Sequence, residues 1–271
     1  MASIITIAKA KKRPAMIDTH THLYLPEFRD DIDEVVARAR GAGLLRCWLP
    51  AIDASSLPAM HDLDCRYPGY FRLFAGLHPT EIQDDFRQQL ETIHQALLGG
   101  TYTGIGEIGM DLYWDKSRQA LQEEVLRTQL DWAVEMDLPV LLHVRDAFDQ
   151  TLDIVRPYYG RGLRGVFHCF SGSLEQAREL VGQGFYLGVG GSITYKNSPL
   201  RSFLAQLPLE HIVLETDSPY LAPVPYRGKR NESSYVLRVV DTLADIYKCE
   251  ADFIAKQTTE NAICLENRKK P

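Results

Sequence analysis

Eight short apolar runs recur along this chain, separated by longer amphipathic stretches, and that alternation constrains the fold more than any other feature. The runs are residues 15–20 (AMIDTH), 45–52 (LRCWLPAI), 71–77 (FRLFAGL), 102–108 (YTGIGEI), 140–144 (VLLHV), 165–169 (GVFHC), 186–191 (YLGVGG) and 211–216 (HIVLET). Each has strand length, and strands alternating with helical patterns call for parallel pairing with crossover helices. The spacing predicts a helix over 27–41, with Phe28, Ile32, Val35 and Val36 on one stripe. A second is predicted over 117–137, with Leu121, Val125, Leu126, Leu130 and Ala133 on another. Ser173, followed by Glu175 and Gln176, reads as the capped start of a helix to about residue 183. Pro139 ends the preceding helix and opens the fifth run. Residues 234–248 and 251–265 read as two further helices, the first completing the eighth unit and the second extra. Eight such units favour an α/β fold closed as a single-domain TIM (β/α)8 barrel over residues 16–265, and the 271-residue chain suits the ~250 residues such a barrel takes. No G-x-G-x-x-G follows the first run. Gly188-Val189-Gly190-Gly191 reads instead as small residues for close packing.

Five of the eight runs end in, or lead directly into, histidine or carboxylate. His20 and His22 follow the first run, Glu107 the fourth, His143 the fifth, His168 the sixth and Asp217 the eighth. In a parallel barrel the strand C-termini share one face, so these six side chains are expected to converge there. His20 and His22 are two apart and point the same way on a strand. Histidines with two carboxylates suit Zn, Mn, Fe or Ni better than Ca or Mg alone. Six ligands exceed the need of one tetrahedral ion, so two ions are expected, with the two oxygens of Glu107 between them. Bound ions bring the pKa of water toward neutral, and Asp217 can take its proton. The expected chemistry is metal-assisted hydrolysis, with Asp217 and Glu107 as catalytic residues. Glu215, two before Asp217, can orient a ligand histidine from behind. Arg145, two after His143, can clamp a phosphate or carboxylate. His78, after the third run, can touch substrate or cap a loop. Cys169 beside His168 is not expected to form a catalytic pair with it, because strand neighbours face opposite sides.

Composition narrows the partners. The net charge is −6 and the pI about 5.8, which disfavours non-specific nucleic-acid binding. A DNA substrate would need bound cations and a local basic rim. Arg227, Lys229 and Arg230 offer the rim; Tyr113, Trp114, Tyr220 and Tyr226 offer stacking surfaces. Five cysteines without a C-x-x-C read as reduced thiols of a cytoplasmic protein. No 18-residue apolar run is present, so no membrane helix is expected. Residues 1–15 carry Lys9, Lys11, Lys12 and Arg13 after an apolar patch, the reverse of a signal peptide. They read as an N-terminal extension before Met16, and 266–271 as a polar tail.

Seven short motifs bear a resemblance. THTHL (19–23), GLHPT (76–80), GEIGMD (106–111), LPVLLHVRDA (138–147), FHCFSGS (167–173) and LETDSPYLAP (214–223), followed by RGKRNES (227–233), resemble the TatD-related deoxyribonucleases of the amidohydrolase superfamily. The likeness runs in order from about Met16 to Leu265. It implies a TIM barrel with a divalent metal centre that hydrolyses phosphodiester bonds, several members acting as 3′ to 5′ exonucleases on single-stranded DNA. Carried over by position, His20, His22 and Asp217 hold one ion, His143 and His168 a second, and Glu107 both. The ions are Mg, Mn, Zn or Ni. Arg145 and His78 face substrate phosphate, Arg230 and Asn231 match the basic motif after the eighth strand, and Asp111 lies near the ions. Many members carry a second histidine where this chain has Thr80, a difference that bears on substrate rather than metal. Met110 replaces a common leucine, a small volume change. The alternative is a hydrolase of an ester, amide or aminoacyl-tRNA bond, since barrels change substrate through their loops. A monomer is the default expectation.

Overall fold

The computed structural model describes residues 15–267, so residues 1–14 of the expected 1–15 extension and the last residues from 268 lie outside the described residues. Eight strands form one sheet: β1 (Met16–Asp18), β2 (Leu44–Pro50), β3 (Phe71–Ala75), β4 (Gly104–Asp111), β5 (Val140–Arg145), β6 (Gly165–Phe167), β7 (Tyr186–Val189) and β8 (Ile212–Leu214). They follow one another in sequence order and every neighbouring pair is parallel. The first and last strands meet just past their ends. Thr19 donates through both N and Oγ1 to Leu214 O at 2.9 Å, Thr216 N donates to Asp18 Oδ1 at 3.0 Å, and Thr21 bridges Ser218. The barrel expected from the sequence is the fold observed.

Helices α1 (Ile32–Gly41), α2 (Leu57–Arg66), α3 (Phe86–Leu98), α4 (Gln119–Glu135), α5 (Phe148–Val155) and α6 (Leu174–Gly182) cover the outside, followed by α7 (Val236–Tyr247) and α8 (Ala251–Asn267). The stripe on α1 is buried as read, at Ile32, Val35, Val36 and Ala39. The helix begins later than predicted, because Pro26–Phe28 forms a separate 3-10 turn. Ser173 caps α6 in a reciprocal box with Gln176. One crossover departs from the βα rule. Between β7 and β8 the chain makes four 3-10 turns and no α-helix among the described residues. Pro199 and Pro208 interrupt this stretch, and it lacks an apolar period.

Ile17, Trp48, Phe74, Leu141, Val166, Tyr186 and Val213 fill the barrel interior, and Ala262 and Leu265 of α8 join them. That helix closes the N-terminal end. Asn261 Nδ2 donates to Leu209 O and Ile212 O, while buried Glu266 accepts from Trp48 Nε1 and Arg46. Glu266 therefore belongs to the fold rather than to a polar tail. With this end sealed, the C-terminal end is the open one.

β4 passes beside Phe74 because Gly104 has no side chain. A Cβ there would lie 2.3 Å from Phe74 Cε1 and 2.5 Å from Pro139 O. Gly104→Ala is expected to cost about 1–3 kcal/mol by overpacking. A urea titration checks this: the midpoint falls while the slope stays constant. Gly41→Ala, where a Cβ would meet open space, leaves the midpoint level or raises it.

Candidate metal centre

The six residues read from strand ends come together at the open mouth of the barrel. Glu107 sits inside β4, every residue of which is buried. His143 is on β5, whereas His20, His22, His168 and Asp217 lie just beyond their strands. The two-residue period of β1 nevertheless persists to His22. Thr21 N donates to Trp48 O and His22 N to Ser218 O, which keeps the segment extended between its neighbours.

Two groups of donors share Glu107. Around Oε2, His20 Nε2 lies at 3.1 Å and His22 Nε2 at 3.6 Å, and the two nitrogens are 3.2 Å apart. Asp217 Oδ1 is 3.8 Å from His20 Nε2 and 3.6 Å from His22 Nε2. An ion with tetrahedral ligands at ~2.0–2.2 Å spaces those ligands ~3.3–3.6 Å apart. The observed separations straddle that range, so the donor set fits a divalent ion. Around Oε1, His143 Nδ1 lies at 2.9 Å, His78 Nε2 at 3.5 Å and His168 Nε2 at 3.7 Å.

Hydrogen bonds at the far side of each ring decide which nitrogens carry lone pairs. Tyr24 O–H donates to Pro50 O at 2.8 Å, so its oxygen accepts from His22 Nδ1–H at 3.0 Å. Asp111 Oδ2 accepts from His143 Nε2–H at 3.0 Å, and Glu215 Oε2 from His168 Nδ1–H at 3.2 Å. Each bond leaves the inward nitrogen unprotonated in the neutral ring, as a metal ligand must be. His20 differs, because its buried Nδ1 has no hydrogen-bond partner and only Nε2 interacts at the site. His78 is oriented by Thr80. Its Nδ1 lies 2.7 Å from Thr80 Oγ1, whose hydroxyl donates to Glu81, and 3.2 Å from Thr80 N, and the ring turns Nε2 toward Glu107. Proximity groups His78 with Glu107 and His143 as a candidate ion site.

Electrostatics follow from this packing. Burial disfavours a charged Glu107, but His20, His78 and His168 outweigh it and hold the carboxyl well below its usual range. Burial also works to raise half-buried Asp217, but His168 and His22 hold it down. Burial lowers His168, yet Glu215, Glu107 and Asp217 push it up to about 10. His143 likewise rises against burial through its bonds to Asp111 and Glu107. Burial first, then Glu215, raises the Cys169 thiol, so it stays protonated.

A cleft of about 1200 Å³ opens above the centre. His78, Asp111 and Arg145 line it, as the sequence reading expects of residues near substrate. Arg230 and Asn231 do not, and here that reading is corrected. Arg230 is spent on Asp31, with bonds of 2.7 and 2.6 Å, and lies over the Phe28 ring. Asn231 is fully buried and donates to Thr216 O and Tyr220 O at 2.7 Å, bracing the loop that carries Asp217. Tyr226 stacks on Tyr235. Glu215 occupies space left by Gly188, where a Cβ would come within 2.1 Å of its Oε2. The sequence reading missed Tyr195 and Lys196 on the cleft wall and Asp18 beneath it. Asp18 accepts from Thr216 N and Oγ1 and from His20 N, and burial pushes it up to about 7. An acid inside an apolar run was its signal. Tyr195 and Lys196 lie in a stretch with no period or motif.

Two outcomes follow. His168 is pushed up to about 10, so the metal-free protein holds a proton there at pH 7 that an incoming cation displaces, and His143 is raised in the same direction. Calorimetric titration with Zn or Mn in buffers of unequal ionisation enthalpy should report net proton release, and affinity should rise with pH. Buffer-independent heats would contradict the arrangement. Asp111→Ala and Glu215→Ala, which remove the acceptors behind His143 and His168, should each weaken binding about 10–100-fold, whereas Arg230→Ala should not.

Comparison with known proteins agrees with this architecture. The profile of the family described as TatD related DNase matches residues 17–267. The uncharacterized metal-dependent hydrolase YabD of Bacillus subtilis is 35% identical over 248 residues, covering 91% of this chain and 97% of that protein. The 3'-5' ssDNA/RNA exonuclease TatD of Yersinia pseudotuberculosis is 31% identical over 256 residues, covering 91% and 97%. The crystal structure of YjjV, a TatD homolog from Escherichia coli, matches with a TM-score of 0.86 at 34% identity, covering 94% of this chain and 98% of that one. A family match across the whole barrel, over a mouth whose donors fit a divalent ion, makes this chain a member of the TatD related DNase family of metal-dependent hydrolases.

Proposed function

We propose that the chain is a two-ion nuclease that hydrolyses phosphodiester bonds of single-stranded DNA from the 3′ end. The observation that carries this reading is a set of uncompensated cations. Arg145, Lys196 and Arg227 line the cleft, and among the described residues none of them meets a carboxylate. Elsewhere Arg38, Arg156, Arg164 and Arg230 each do. In a protein of net charge −6, free positive charge gathered beside a metal centre selects a polyanion. The single-strand preference and the polarity are supported by the relative named for a 3'-5' ssDNA/RNA exonuclease. Five free cysteines support a cytoplasmic setting.

In this reading His20, His22, Asp217 and Glu107 would hold one ion, and His143, His168 and Glu107 a second. Divalent ions there supply Lewis acidity, making water nucleophilic near neutral pH and offsetting phosphate charge. The chain's own groups do the rest. Asp217 is ionised, and with Oδ1 turned to the histidines its Oδ2 takes the proton of the attacking water. His78 faces a phosphate oxygen, and Arg145 holds the same or the next phosphate. Asp111 and Glu215 keep the imidazoles in the tautomers that bind.

The test is a time course on an end-labelled single-stranded oligonucleotide, with metal-stripped protein to which Mg or Mn is returned. Stepwise shortening from the 3′ end is expected. Chelator should abolish it, and Glu107→Ala should slow it at least about 100-fold, since one carboxylate serves both ions. Intact DNA together with rapid cleavage of ester substrates under the same metals would replace the phosphodiester reading with an esterase one.

A further inference from the structure

Exposed apolar side chains are not scattered over this protein. Eight large ones stand exposed among the described residues, and four of them, Trp114, Tyr220, Leu221 and Val224, line the cleft. Tyr113 adjoins Trp114 at the end of β4, with ring centroids 4.9 Å apart at 87°. Trp114 keeps 69% of its surface exposed. It also borders a second hollow of about 210 Å³ that reaches Pro79, Ile82 and Arg118, so it stands as a wall between the two spaces.

The wall is fixed rather than loose. Asp111 Oδ1 accepts from Tyr113 N at 3.0 Å and Trp114 N at 3.2 Å, while its Oδ2 holds His143. One carboxylate thus sets both a ligand histidine and the aromatic loop. Arg145 lies 3.9 Å from the Tyr113 ring centroid and 5.4 Å from that of Trp114. On the loop after β8, four strands around the ring from β4, Arg227 lies 4.6 Å from the Tyr195 ring centroid. Cations held on aromatic faces thus line the cleft, and the flat Trp114 ring stands beside Arg145.

We propose that Trp114 is a base-stacking platform that seats one nucleobase of the bound strand while Arg145 beside it takes the adjoining phosphate. This rests on the reading of the chain as a nuclease acting on single strands. Two features choose the occupant. The free cations call for phosphate, and the exposed ring calls for a flat apolar partner; a nucleic acid carries both at a one-nucleotide repeat. Base faces are hidden within a duplex and open in a single strand, so the platform accounts for strand selection through contact rather than charge.

The test compares steady-state cleavage, in Mn, of two end-labelled single strands of equal length. One has natural bases; in the other the three nucleotides at the 3′ end are abasic. The phosphates are identical. For the wild-type protein, the abasic strand should show a KM raised roughly 5- to 150-fold with kcat little changed. Trp114→Ala should raise KM by a similar factor for the natural strand and add nothing for the abasic one. Trp114→Phe should recover most of the difference. Equal KM for both strands in the wild type, or a Trp114→Ala effect that is the same on both, overturns the platform and leaves the nuclease reading standing. Failure of the wild type to cut either strand overturns that reading and the platform with it.

Discussion

Everything at the mouth of this barrel is arranged around one buried carboxylate whose two oxygens face different partners. Glu107 is 3% exposed and lies on a strand with no solvent on either side. A charge in that position is costly unless opposite charge surrounds it. His20 and His22 approach one oxygen, His143 and His168 the other. Those rings do not choose their own orientation. Tyr24, Asp111 and Glu215 stand behind three of them and fix which nitrogen looks inward. The site is therefore two layers deep, and the outer layer sets the chemistry of the inner one.

Much of this was legible in the sequence. Eight apolar runs gave eight strands in order, and histidines and carboxylates at their ends gave the donors. Both readings rest on periodicity and position, which a linear sequence carries directly. The crossover after β7 was not legible, since Gly190 to His211 has neither helical period nor a cap to bound it. Arg230 and Asn231 show a different limit. A motif names residues without saying where their side chains turn, and here Asp31 and two backbone carbonyls claim them. His78 shows a third. Its distance to Glu107 suits a ligand, yet Thr80 offers its Nδ1 both a donor and an acceptor, so the motif alone does not write the ring's tautomer.

Acidity of the whole and basicity of the cleft work together. A net charge of −6 disfavours polyanions on the surface at large, while Arg145, Lys196 and Arg227 place cations without carboxylate partners beside the cleft. Aromatic faces under two of these guanidiniums hold them in place without neutralising them, which a carboxylate partner would do.

The barrel closes where its first strand meets its last, and that seam carries more than a sheet hydrogen bond. Asp18, below His20, is bonded to Thr216, which directly precedes Asp217. Donors from the two ends of the polypeptide are thereby locked to one another. A ribosome-bound chain that has not yet extruded β8 possesses His20, His22 and Glu107 but neither Asp217 nor the clasp that registers it. The donor set around Glu107 Oε2 cannot assemble until the last strand has been made and the ring has shut.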